Sequence, residues 1–257
     1  MHTVDRLKSD LLRLGVLPGG ALMVHASLSS MGRVAGGAET VVRALLAALG
    51  ENGTLVMPAF RESLSVAGLV DDVPAAVMAR AGKVTPPHDP ATTATTMGAI
   101  AETFRCWPDV VRSAHPTSSV IAHGPRADQI VSGHPVAWAT GTESPFARLH
   151  DLDAQLLLLG VGFNRLTMLH YAETLLPRGR RKTRLVPVAG EIVPVSDTGD
   201  DNDTHFPAIG AALACRGLTA EGMIGDAPSV LVSARSTVAV ARDYLSEVLA
   251  AETAEIF

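Results

Sequence analysis

An α/β fold built on a mixed sheet is predicted by three observations. Short apolar runs at 21–25, 54–60 and 154–162 have the length of buried strands and alternate with stretches of helical period. Residues 181–197 alternate around Gly190 and read as a hairpin, which adds an antiparallel component. Hydrophobic residues are 47% of the 257 and charged residues 18%, so the chain can bury the core of one large domain. Aromatics are only 4%, which leaves Ala, Val and Leu to fill that core.

The elements follow in order. Val4, Leu7, Leu11 and Leu14 share one face of a helix that Gly15 ends. ALMVH (21–25) is a strand, and a loop rich in Ser and Gly leads to the helix AETVVRALLAALG (38–50), stopped by Gly50. Asn52-Gly53 turns the chain into the buried strand TLVMPAF (54–60). Residues 61–93 hold several prolines and no clear period, so a long irregular loop with one short helix is expected; such a loop in a compact domain is often functional. MGAIAETFRC (97–106) is helical, RSAHPTSSVIAHG (112–124) is loop then strand, and helical pieces follow near 125–132 and 145–151. AQLLLLGVG (154–162) is the most apolar strand and suits the centre of a sheet covered on both faces. A helix carrying His170 then precedes the hairpin. FPAIGAALACRG (206–217), a helix, PSVLVSA, a strand, and RSTVAVARDYLSEVLAAE, a closing helix, complete the series. With no repeat and no linker, 1–257 reads as one domain.

Bulk properties exclude several functions. The net charge is -5 with no basic block, which argues against nucleic-acid binding. No run is long enough to span a bilayer, and the N-terminus lacks the apolar core of a signal peptide. Cys106 and Cys215 stand far apart, outside any CxxC spacing, and read as buried free thiols of a cytoplasmic protein.

Four stretches carry candidate chemistry. HASLSSMGRVAGGAET (25–40) lies between a strand and a helix, where hydroxyls, open backbone N–H groups and a helix start suit a phosphate or the polar groups of a pantetheine arm; an ordinary loop fits equally. It matches neither GxGxxG nor GxxxxGK[ST], which disfavours dinucleotides and nucleoside triphosphates. RSAHPTSS (112–119) reads either as a second polar site or as a loop that satisfies its own backbone. His170 and Glu173, three residues apart, share a helix face just after a strand, where open α/β sheets bind ligands. Either Glu173 orients an imidazole that accepts a proton, or the two form a structural pair; near a helix start the ring is expected to be neutral. SDTGDDNDTHF (196–206) gathers Asp197, Asp200, Asp201 and Asp203, a solvated loop or a clamp for ammonium groups. There is no HExxH and no GxSxG, so neither a zinc site nor a serine nucleophile is favoured.

These blocks together resemble the aminoglycoside 3-N-acetyltransferase family, also called the antibiotic N-acetyltransferase family. The resemblance rests on MVHASLSSMGRVAGGAETVV (23–42), GTLVMPAF (53–60), the stretch 86–125 with RSAHP, the stretch 143–173 ending in LHYAE, and the tail from FPAIGAAL onward. It covers nearly the whole chain. It implies a single-domain α/β/α sandwich with a mixed central sheet, of antibiotic N-acetyltransferase type. It implies transfer of an acetyl group from acetyl-CoA (coenzyme A) to the 3-amino group of an aminoglycoside, directly and without a metal. His170 would be the general base and Glu173 its partner. His25, Ser27, Leu28, Ser29, Ser30, Met31, Gly32, Arg33 and Val34 would hold CoA, with Ser113, His115 and Ser119. Asp89, Asp201, Asp203 and Glu173 would face the polycationic amine. A monomer or homodimer is expected. Three features depart from the family pattern: Arg33 stands where an aromatic is common, His88 where Tyr is common, and 61–83 is short. A different amine as acceptor, or a CoA or polyamine binder without turnover, are the alternatives.

Overall fold

A computed structural model describes residues 1–70, 72–85, 88–177, 179–199 and 203–254. Helix α1 (Val4–Leu14) is capped by the Thr3 side chain and ends at Gly15, with Leu7, Leu11 and Leu14 buried as its period predicts. Strand β1 (Ala21–Ala26) leads through a 3-10 turn (Leu28–Met31) to helix α2 (Ala38–Leu49). Strands β2 (Thr54–Pro58) and β3 (Leu64–Ala67) precede helices α3 (Ala75–Val84) and α4 (Ala99–Arg105). Strands β4 (Val111–Arg112) and β5 (Val120–His123), then helices α5 (Ala127–Val131) and α6 (Pro145–Asp151), lead to the apolar strand β6 (Gln155–Leu159). Helix α7 (Met168–Thr174), the hairpin β7 (Arg181–Val188) and β8 (Glu191–Thr198), and helix α8 (Phe206–Cys215) follow. Strands β9 (Thr219–Ile224) and β10 (Ala227–Ser233) and the long helix α9 (Ala234–Ala254) close the chain.

The main sheet has seven strands in the order β4-β5-β2-β1-β6-β10-β9. Its centre is parallel: β1 pairs with β2 and with β6 in the same direction. Its flanks are antiparallel, β5 on β2 and β10 on β6. The mixed sheet is as predicted. Strand alternation then sorts the core into two layers. Leu157 and Leu159 of β6 join Leu22 and Val24 under α1, α2 and α4. Leu156 and Leu158 join Met23 and Val56 under α5 to α9. All four β6 leucines are fully buried, each contributing about 1.5–3 kcal/mol of apolar burial. Helices on both faces make the α/β/α sandwich that the resemblance implied.

Three expectations change, the first being the burial of Cys106 and Cys215: both thiols are exposed. The hairpin does not join the main sheet; β7 and β8 pair with β3 in a separate antiparallel sheet. The region 61–93, expected as an irregular loop with one short helix, holds that helix as the ten-residue α3 and also the strand β3, which was not expected. Leu185 and Val73 pack there against Ala81 of α3. β3 is four residues long and only half-buried, and its partner is more than a hundred residues away, so local sequence carries little trace of it. Strand β9 was not foreseen either. It is a mostly exposed edge strand, and TAEGMI has no strong alternation.

Candidate active site

The carboxyl ends of the parallel strands β1 and β6 open into a cleft of about 450 Å³, which the hairpin and the segment before α8 close from the other side. His25 and Ala26 at the end of β1, Arg165 after β6 and His170 on α7 form one wall. Lys182, Arg184, Asp197 and Thr198 of the hairpin, with Asp203, form the opposite one.

At the centre is His170. Its Nδ1 lies 2.8 Å from Glu173 Oε2, one turn along α7. Glu173 is wholly buried, and its second oxygen, Oε1, accepts two hydrogen bonds from Arg180, at 3.0 Å from Nε and 2.5 Å from the terminal nitrogen. His170 Nε2 lies 3.3 Å from Asp203 Oδ1. Burial pulls the imidazole pKa down, but bonds to Asp203 and Glu173 and the charges of both carboxylates outweigh it and raise the value to about 9. The expected neutral ring is therefore corrected. The two carboxylates, not the start of a short helix, set its charge. Protonated His170 and Arg180 together balance Glu173 and Asp203.

The pocket around the ring is tight. Phe206 of α8 tilts against it, with centroids 4.9 Å apart. Gly199 has a φ of 89°, and a Cβ there would lie 2.5 Å from His170 Nδ1 and 3.0 Å from Glu173 Oε2. Only glycine permits both the backbone turn and the close approach. Thr174 donates to the His170 carbonyl at 3.0 Å and lies 2.9 Å from the Thr198 hydroxyl, which ties α7 to β8.

The residues expected to hold a cofactor fall into two groups. His25 lines the cleft; it is buried, its Nε2 has no partner among the described residues, and burial lowers its pKa to about 4, so it is neutral. Ser27 and Ser29 present hydroxyls 3.0 Å apart on the loop beyond it. Ser30 donates to the Gly160 carbonyl, Met31 is fully buried, Leu28 and Val34 pack on the core edge, and Gly32 and Arg33 are exposed. His2 pairs by backbone with Arg33 and Ala35 and steadies this loop. The second group is interior. Ser113 is bonded to His134 and to the Val120 N–H, and His115 Nδ1 accepts from the N–H groups of Thr117 and Ser118 while Nε2 donates to Val136 O. Ser119 donates to the Ala59 carbonyl and accepts from Arg112. These three side chains spend their polar atoms inside the protein; of that loop only Ser118 reaches the cleft.

Among the acidic residues, Asp203 reaches His170, whereas Asp89 is exposed and bonds to the Thr92 hydroxyl and the Ala91 N–H of its own turn. Asp201 lies outside the described residues. Asp197, buried, is paired with Arg184 at 2.6 Å. Arg180, Gly199, Arg165 and Lys182 were not singled out from sequence. Arg180 stands seven residues after Glu173, a spacing that carries no helical signal once the helix has ended. Among the described residues, no cluster of three or more His, Cys, Asp or Glu could hold a metal, and no helix is long and apolar enough to cross a membrane.

Known proteins resemble this chain over almost its whole length. The model of the family described as aminoglycoside 3-N-acetyltransferase matches residues 23–246. An aminoglycoside N(3)-acetyltransferase III of Pseudomonas aeruginosa is 33% identical over 255 residues, 95% of this chain and 93% of that protein. The structure of AAC-IIIb in a binary complex with CoASH has 30% identity and a TM-score of 0.83, covering 96% of this chain and 97% of the other. AAC-VIa bound to sisomicin has 32% identity and a TM-score of 0.83, covering 95% and 97%.

Proposed function

The chain belongs to the aminoglycoside 3-N-acetyltransferase family, and on that premise we propose that it moves the acetyl group of acetyl-CoA directly to the 3-amino group of an aminoglycoside, with His170 as general base. The observation that carries this reading is the chain Arg180–Glu173–His170, with Glu173 wholly buried, which ends at Nε2 on the wall of the cleft. Glu173 fixes the ring through Nδ1, so Nε2 is the nitrogen left to exchange a proton with an amine. Arg180 keeps Glu173 anchored while the ring changes charge. Among the described residues no serine of the cleft is bonded to this histidine, which favours direct attack by the amine over an acyl-enzyme.

The residues present fit acetyl-CoA. Buried His25 offers an unpartnered nitrogen on the cleft wall, and the hydroxyls of Ser27 and Ser29 follow on the loop where a pantetheine arm would run. When bound, acetyl-CoA supplies an acetyl group activated as a thioester. Arg33, exposed at the loop's far end, suits a phosphate. Use of acetyl-CoA argues for a cytoplasmic protein.

The test is a thiol-release assay over aminoglycosides and simpler amines with acetyl-CoA. His170→Ala is expected to lower kcat by about 100-fold or more while CoA still binds. Turnover like the wild type would sink the base assignment. A second reading, an acceptor amine with fewer charges, draws on Arg165, Lys182 and Arg184 in the cleft walls, and preferential turnover of simple amines would select it.

A further inference from the structure

We propose that Asp203 caps the base in the free enzyme and that the incoming cationic amine draws this carboxylate off Nε2 of His170, baring the nitrogen for proton transfer. The inference rests on the reading of His170 as base. The two nitrogens of the ring are held unequally. Nδ1 meets Glu173, which is fully buried and clamped by Arg180, so that partner is fixed. Nε2 meets Asp203, whose side chain is 27% exposed and stands at the cleft. The outer carboxylate is the one a ligand can reach.

Among the described residues, the following groups face the ring or stand across the cleft from it. Glu173 faces it from α7, with Arg180 behind, and Asp203 faces it from the segment before α8. Phe206 of α8 and Gly199 beyond β8 are uncharged. Across the cleft stand Lys182 and the Arg184–Asp197 pair of the hairpin, and Arg165 lies beyond β6. Two carboxylates in contact stabilise the imidazolium, and an imidazolium cannot accept a second proton. A cationic acceptor changes this balance. Its ammonium groups compete for Asp203, the imidazolium loses one of its two anions, and its proton leaves to water. The carboxylate exchanges one cation for another, and Nε2 becomes a free acceptor. The substrate thereby switches on the base that acts on it.

Isotope-edited NMR of the His170 ring tests this, the signal being assigned among the nine histidines by its loss in His170→Gln. In the free protein His170 is expected to titrate well above the ordinary histidine value. Saturating sisomicin without acetyl-CoA, where no transfer can occur, should lower that midpoint by about one pH unit or more. Asp203→Asn should lower the free midpoint similarly, and sisomicin should then move it much less. Asp203→Glu should restore both shifts. A wild-type midpoint that sisomicin leaves unmoved or raises overturns the proposal, as does an equal sisomicin shift in Asp203→Asn. If Asp203→Asn fails to fold, the wild-type comparison alone decides. Failure of the transferase reading shows elsewhere: a wild type that binds sisomicin yet releases no thiol overturns that reading and leaves the titration interpretable.

Discussion

At the scale of the residue, His170 draws its character from contacts that run in three directions. Glu173 lies along its own helix, Asp203 comes from the segment between β8 and α8, and Gly199 presses from the end of β8. Gly199→Ala is the most selective probe of this packing. The added methyl meets the imidazole, and the backbone's positive φ costs about 1 kcal/mol for a non-glycine residue. The imidazole must shift, and with His170 as the proposed base a displacement of about 1 Å lowers the rate steeply. We expect kcat to fall by about 100-fold with a drop in stability of only about 1–2 kcal/mol, read by steady-state kinetics beside urea unfolding. Unchanged kcat would show that the imidazole position has slack. The pair His170 and Glu173 was legible in the sequence because i,i+3 spacing on a helix is a local rule. Arg180 and Gly199 were not, because they arrive after the helix ends and at the far end of the hairpin.

At the scale of the element, the hairpin is the piece that turns a sheet end into a cleft. Its buried Asp197 pairs with Arg184 across the two strands and also accepts the Thr198 N–H at 2.9 Å. Burial pushes the Asp197 pKa up, but the Arg184 guanidinium, with the Thr198 N–H and the Lys182 charge, outweighs it and holds the value below its usual one, so the carboxylate stays charged. Arg184→Ala strands that charge and should cost about 3–5 kcal/mol. Adding Asp197→Asn to it should recover most of the loss, since the buried charge is then gone. Urea unfolding of both single variants and the double variant checks this. An additive double mutant would show that the pair is not coupled. The hairpin itself was legible from its alternation around Gly190. Its membership in a second sheet was not, because alternation shows that a strand has two faces but not which strand lies beside it.

At the scale of the whole molecule, the titrating histidines oppose one another. His25, His115 and His134 are buried neutral, and burial lowers their pKa values to about 4, 3 and 4. The unfolded chain binds protons at these sites from about pH 6.5 downward while the folded protein does not, so stability falls as pH drops from 6.5 toward 4, by several kcal/mol in all, roughly. His170 works in the other sense. Its folded pKa of about 9 lies above the unfolded value, so its contribution is complete below pH 6.5 and is lost as pH rises through 9. Stability should therefore peak between about pH 6 and 7 and fall on both sides. Urea midpoints from pH 4 to 9.5 measure this. In His170→Ala the decline above pH 6.5 should disappear while the acid side persists. A flat profile across that range would contradict the buried neutral histidines.

The sequence by itself determined the layers and the family. Strand-length apolar runs, helix periods and helix-end glycines are local signals, and they placed the central strands and the His170 helix, while the resemblance implied the layered sandwich. Block-by-block resemblance supplied the reaction. The tertiary structure alone decided which polar groups meet. It turned Ser113, His115 and Ser119 inward to bonds of their own, left Asp89 on its own turn, brought Asp203 onto Nε2, and charged an imidazole that local reasoning had left neutral. The reason is physical. Burial periodicity is set by neighbours along the chain, whereas the charge of a group is set by whatever lies within a few ångströms, and those neighbours are fixed only when distant segments fold together.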